Sequence, residues 1–90
     1  MKALAINGGA GRMGQILAGG LGALGQFRIG ALVDAREPSE LFGGAYASSF
    51  DAVDASTIDV VVDFSSPEGV VAAAAWCAAN GKGLVVGTTG

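Results

Sequence analysis

The chain reads as an α/β fold, a parallel sheet of about four strands in the order 3-2-1-4 with helices between them. Three observations carry this reading. Short apolar runs alternate with stretches of helical period, as strands joined by crossover helices require. The run Val60-Val61-Val62 is uninterrupted and β-branched, which suits a parallel strand covered on both faces. Glycine-rich turns follow the first and last apolar runs, where a parallel sheet with right-handed connections gathers its loops. The architecture these imply is Rossmann-like, and 90 residues make one domain, or part of one.

Lys2 to Asn7 is the first strand, short, apolar and closed by Gly8-Gly9. From Gly11 the period changes: Met13, Ile16, Leu17, Gly20, Leu21 and Leu24 follow the spacing of one helix face. Gly19, Gly20 and Gly22 weaken that helix by about 1 kcal/mol each relative to alanine, and Gly25 is positioned to end it. Arg28 to Val33 is the second strand, ending on Asp34. The stretch from Arg36 to Ala55 is the least regular; a helical turn is expected near Pro38 to Phe42 and another from Ser49. Ile58 to Phe64 is the third strand. Ser66-Pro67-Glu68 opens the next helix with a capping hydroxyl, a proline at the first helical position and an acid at the positive end of the dipole. That helix runs to Asn80, Gly81 stops it, and Gly83 to Val86 is the fourth strand. In the order 3-2-1-4 the crevice falls between strands 1 and 4, where the loops Gly8 to Gly14 and Gly87 to Gly90 are expected to meet.

Composition excludes several classes of function. Five basic against eight acidic side chains give a net charge of −3, so the basic stripe of a nucleic-acid surface is missing. Cys77 is the only cysteine, which rules out an intramolecular disulfide and a CxxC metal or redox pair and suits a reducing, cytoplasmic setting. The longest apolar run, Val70 to Ala79, is half the roughly 20 residues that span a bilayer, so no membrane association is expected. With no histidine in the chain, the usual proton carrier near neutral pH is absent. No catalytic residue and no metal ligand is assigned.

The chemistry that remains is anion binding by backbone. Gly9, Gly11 and Gly14 form G-x-G-x-x-G, and Gly8, Gly11 and Gly14 form G-x-x-G-x-x-G. Either pattern lets the chain reverse tightly, exposes amides and admits a diphosphate where a Cβ would collide. The helix that follows turns its positive end toward the phosphates. The competing reading is a tight strand-to-helix turn without a ligand. Asp34, 20 residues beyond Gly14 at the end of the next strand, has the spacing of a ribose-binding carboxylate, and its competing reading is a turn residue. Together they point to NAD(H) or NADP(H). Asp34 repels a 2′-phosphate and Arg36 attracts one, so the preference stays open. Arg12 is either a phosphate contact or a helix-surface charge. Thr88 and Thr89 offer hydroxyls and amides to the nicotinamide end or form a simple turn. Asp63, Ser65 and Ser66 are read as helix-capping residues, Trp76 and Cys77 as core, and Lys82 as a solvated charge.

Three segments extend this beyond a generic fold: Ala5-Ile6-Asn7-Gly8-Gly9-Ala10-Gly11-Arg12-Met13-Gly14, Val61-Val62-Asp63-Phe64-Ser65-Ser66-Pro67-Glu68, and Gly81-Lys82-Gly83-Leu84-Val85-Val86-Gly87-Thr88-Thr89-Gly90. In this order they resemble the amino-terminal portion of 4-hydroxy-tetrahydrodipicolinate reductase, also called dihydrodipicolinate reductase, of the diaminopimelate and lysine pathway. The resemblance implies that Gly8, Gly9, Ala10, Gly11, Arg12 and Met13 form the diphosphate-binding segment, that Asp34 is the ribose-binding acid, and that Gly87, Thr88 and Thr89 contact the nicotinamide end. It departs at Ala35, where some members carry a base that accepts NADP. Members continue into a second domain that binds a cyclic dicarboxylate and carries the acid/base residues, and they assemble as homotetramers. The 90 residues alone are therefore expected to bind cofactor without turning over substrate. A stand-alone dinucleotide-binding or sensing module without catalysis meets the same residue pattern, and so does a half-fold that binds nothing.

Overall fold

A computed structural model describes residues 1–87. Its elements are β1 (Lys2–Asn7), α1 (Arg12–Ala23), β2 (Phe27–Val33), β3 (Ala45–Ala47), β4 (Val60–Asp63), α2 (Pro67–Asn80) and β5 (Gly83–Val86), with two 3₁₀ turns at Phe50–Ala52 and Ala55–Thr57. All pairings are parallel, in the order β3-β2-β1-β4-β5. The order 3-2-1-4 therefore holds, but the segments that fill it shift. Ala45–Ala47, unmarked in the sequence, takes third place. The segment Ile58 to Phe64, expected to be strand 3 beyond strand 2, supplies β4 beside β1. Gly83–Val86, expected beside strand 1, is the fifth strand, on the outer side of β4.

The sheet sorts its side chains by pleat. Leu4 and Ile6 of β1, Val62 of β4, and Ile29 and Leu32 of β2 face α1, where Ala18 packs with Leu17 and Leu21 beside it. Ala5, Val61, Ala31 and Val33 face α2, where Ala73, Cys77 and Trp76 pack together with Phe50 and Ile58. Ile29 and Leu32 share a face although they are three apart. The β1–β2 register skips a residue between the Leu4↔Ile29 and Ala5↔Ala31 pairs, leaving Gly30 as a bulge. Phe50 and Trp76 meet with ring centroids 5.2 Å apart, so a 3₁₀ turn and α2 share the cover over β1, β2 and β4.

Helix α1 differs from its expected stripe. Met13, Ile16 and Leu24 are exposed at 54%, 62% and 63%, whereas the buried residues are Gly14 and Ala18. The helix lies closest to the sheet by its smallest side chains, with Leu17 and Leu21 packed beside them, and Met13, Ile16 and Leu24 turn to the flank. The expected helical turn at Pro38 to Phe42 does not form; the chain instead makes a turn closed by the Gly44 amide on the Leu41 carbonyl at 2.8 Å. The turn from Ser49 is present as the first 3₁₀ segment.

Helix α2 follows its sequence signals closely. The Ser66 hydroxyl accepts the Gly69 amide at 3.1 Å, Pro67 stands at the first position, and Gly81 closes the helix in the left-handed region at φ +66°. Ser66→Ala is expected to lower stability by about 1 kcal/mol, the usual worth of an N-cap, read as a reduced urea midpoint with unchanged slope. Asp59 makes a second local tie. Its carboxylate accepts the Ala3 amide at 2.8 Å while its own amide donates to the Ala3 carbonyl. That backbone hydrogen bond, opposed by a little desolvation and aided by Lys2, Lys82 and Arg28, holds the carboxyl below its ordinary 3.8. A depressed carboxyl stabilises the fold above its unfolded-state value and loses that contribution as pH falls through the folded one. Acidification below about pH 3.8 is therefore expected to destabilise the wild type more than Asp59→Asn, measured by urea unfolding of both across that range.

Candidate functional site

Every strand of a parallel sheet ends at the same side, and here five carboxyl ends deliver Gly8, Asp34, Ser48, Phe64 and Gly87 to one rim. A cleft of about 810 Å³ opens there on the α2 side. Its floor is Asn7, Gly8, Gly11 and Val33; one wall is Asp34, Ala35 and Arg36 with Ser48 to Asp51; the other is Phe64 to Ser66 and the Gly69, Ala72, Ala75 and Trp76 face of α2. Among the described residues no group of metal-ligating side chains gathers, and no helix is long and apolar enough to cross a membrane.

The glycine turn is built from backbone. The amides of Gly8 and Gly9 both donate to the Val33 carbonyl, at 2.8 and 3.1 Å, and the Gly11 amide closes the turn on the Gly8 carbonyl at 3.1 Å. Gly8 sits at φ +85°, and a Cβ there would run into the Phe64 carbonyl. A Cβ on Gly14 would collide with the Gly8 carbonyl oxygen. Gly11 is different: its φ of −75° suits any residue, and an added Cβ would meet only the Gly8 oxygen, at an ordinary 3.4 Å. The fold thus requires glycine at 8 and 14 but not at 11, the one that both caps α1 and lines the cleft. Among the described residues no side chain caps α1, and no acid stands in its first turn, in contrast to Ser66 and Glu68 on α2. The first-turn amides, those of Arg12 and Met13 among them, have no intrahelical acceptor.

Asp34 sits across the turn. One carboxylate oxygen accepts the Ala10 amide at 3.0 Å and the other the Arg36 amide at 3.1 Å. Each oxygen keeps a further lone pair for a ligand hydroxyl. Its own amide is tied to the Ala47 carbonyl, and Tyr46 donates its hydroxyl to the Asp34 and Ala35 carbonyls, so short β3 anchors the arm that carries this acid.

Under the other wall lies a buried polar knot. Asn7 Nδ2 donates to Asp63 Oδ1 at 2.8 Å and to the Gly69 carbonyl at 2.9 Å and lies 3.2 Å from Ser65 Oγ, while Ser65 Oγ donates to Asp63 Oδ1 at 2.6 Å. It pins the ends of β1 and β4 and the first turn of α2 to one another. Both Asn7 and Asp63 are buried. Replacing Asn7 by alanine is expected to cost about 2–3 kcal/mol, since it takes a donor from a buried carboxylate; thermal unfolding checks it.

Of the residues singled out in the sequence, Gly8, Gly11 and Asp34 line the cleft together. Gly9 is buried beneath the turn, Ala10 reaches the site through its amide, and Arg12 and Met13 are exposed on the first turn of α1. Gly87 donates its amide to the Asp63 carbonyl and abuts the Phe64 ring, one strand out from the crevice. Thr88 and Thr89 lie outside the described residues. Asn7, Phe64, Ser65 and Trp76 were not read as cleft residues. Phe64 and Ser65 follow from the strand order once Ile58 to Phe64 is set beside β1, because residues just past that strand must then face the glycine turn.

Fold and cleft together define the class: a Rossmann-like module of the kind found in dehydrogenases and reductases. Over residues 2–90 the sequence matches the family described as dihydrodipicolinate reductase, N-terminus, and the chain belongs to that family. Its fold is also similar to that of a solved protein described as a myo-inositol dehydrogenase from Sinorhizobium meliloti 1021, with a TM-score of 0.62 and 21% identity over 97% of this chain. The match covers 36% of that protein, so this chain spans about a third of the length of the solved protein it resembles.

Proposed function

We infer that the chain binds NADH or NADPH in the cleft above β1, β2 and β4, as the nucleotide-binding portion of 4-hydroxy-tetrahydrodipicolinate reductase. The observation that carries this is the joint placement of Gly8, Gly11 and Asp34 on one cleft of about 810 Å³. The dinucleotide, when bound, supplies the hydride. Gly11 and the first-turn amides of Arg12 and Met13 hold its diphosphate, and the dipole of α1 complements that charge. Asp34 accepts the hydroxyls of the adenosine ribose through the lone pairs its two amide bonds leave. Arg36, on the same wall, supplies a cation for a 2′-phosphate. Phe64 and Ser65 border the nicotinamide side. The substrate, a cyclic unsaturated dicarboxylate, and the acid/base groups that protonate it belong to a further domain of the whole enzyme, and the 90 residues alone do not turn over.

The test is titration with NADH and NADPH, followed by quenching of Trp76, the single tryptophan, which borders the cleft. Asp34→Ala is expected to weaken NADH binding roughly 10- to 100-fold, the worth of a hydrogen bond to a charged group. A folded wild-type chain that binds neither cofactor would sink the reading. A sensing module without catalysis predicts the same binding, and is separated by asking whether adding the remainder of the reductase restores turnover.

A further inference from the structure

Gln15 stands one turn into α1, outside the cleft, and its side-chain amide is fully engaged. Nε2 donates to the Gly9 carbonyl at 2.7 Å and to the Glu40 carbonyl at 3.0 Å; Oε1 accepts the Ser39 hydroxyl and the Glu40 amide, each at 3.2 Å. Two donors and two acceptors are all an amide offers. The partners fall into two groups, the glycine turn and the far end of the loop that leaves Asp34.

The first bond has a consequence for Asp34. The Gly9 carbonyl and the Ala10 amide belong to one planar peptide, whose C=O and N–H point in opposite directions. Gln15 holds the carbonyl end, and the Asp34 carboxylate accepts from the amide end at 3.0 Å. The peptide is a rigid strut with Gln15 at one end and Asp34 at the other. Through Ser39 and Glu40 the same Gln15 amide also tethers the loop that begins at Asp34. The acid is thus fixed from two directions by one side chain that does not itself border the cleft.

We propose that Gln15 is a positioning residue for the adenosine-ribose site, acting by orienting the Gly9–Ala10 peptide and hence the Asp34 carboxylate. This rests on the cofactor reading above. Without Gln15 the peptide is free to rotate, the amide that holds Asp34 moves, and the carboxylate loses its alignment to vicinal hydroxyls.

The experiment is a double-mutant cycle on the full 90-residue chain with ADP-ribose as probe. Gln15→Ala is expected to weaken ADP-ribose binding about tenfold in the wild-type background, and to add little in an Asp34→Ala background, because the group it positions is gone. Gln15→Glu keeps the shape and the acceptor while facing the Gly9 and Glu40 carbonyls with oxygen. It is expected to lose affinity similarly, and it serves if the alanine variant fails to fold. Equal losses in both backgrounds, or folded variants that bind like wild type, overturn the proposal. A wild-type chain that does not bind ADP-ribose overturns the cofactor reading instead, so the two failures are distinguishable.

Discussion

Gly14→Ala is expected to destabilise the chain by about 3 kcal/mol or more, a large part of what holds so small a domain folded. The added methyl group would overlap the Gly8 carbonyl oxygen, with Gly8 C at 3.0 Å and Gly9 Cα at 3.2 Å behind it. All three are backbone atoms of the turn, and none swings aside as a side chain does. Overpacking typically costs 1–3 kcal/mol where neighbours can adjust; here relief requires lifting α1 off β1, which opens the face where Ala18 packs with Leu4 and Ile6. A 90-residue chain holds a total stability of only about 5–13 kcal/mol, so this single methyl removes a sizeable share. The control is on the same helix. Gly20 is exposed, and a Cβ there would meet nothing within 4 Å; Gly20→Ala is expected to stabilise by about 1 kcal/mol through helix propensity alone. Urea midpoints of the two variants should move in opposite directions. A Gly14→Ala chain with the wild-type midpoint would mean that α1 does not sit where the turn places it.

The same packing explains which parts of the fold the sequence made legible. β1, β2, α2 and β5 carry signals that act locally: a β-branched or apolar run, a capping hydroxyl before Pro67, a left-handed glycine at 81. β3 carries none. Ala45-Tyr46-Ala47 sets a single large residue between two alanines, too little to mark a strand, and it is a strand because the edge of β2 offers it a backbone ladder from Ala31 to Val33, a tertiary cause. The stripe assigned to α1 holds only at Leu17 and Leu21, for a related reason. Hydrophobic period counts large side chains, whereas a helix pressed close to a sheet buries its small ones, Gly14 and Ala18. In the site, Gly8, Gly11 and Asp34 were readable because their spacing is set by one strand-helix-strand unit. Phe64 and Ser65 depend on which side of β1 the next strand adds to. Nothing in the residues 48–59 declared that choice, since the connection from β3 to β4 uses 3₁₀ turns in place of a crossover helix.

Gly11 should behave in the opposite way to Gly14, although the two are three residues apart in one motif. Its backbone at φ −75° and ψ 166° is open to any residue, and a methyl group meets the Gly8 oxygen only at van der Waals distance. Gly11→Ala is therefore expected to change stability by less than about 1 kcal/mol. The loss of a tolerated N-cap glycine is offset in part by the lower entropy of the unfolded chain. Binding is where the change should appear. A diphosphate seated on the first-turn amides of α1 must approach this Cα closely, and a methyl group displaces it from donors whose strength falls steeply with distance and angle. NADH affinity is expected to fall at least about tenfold for alanine and further for valine, while ligands lacking the diphosphate lose much less. The pair of glycines thus separates what the fold needs from what a ligand needs. If Gly11→Ala binds NADH as the wild type does, the cleft holds no diphosphate at this turn. The glycine would then be explained by neither packing nor ligand.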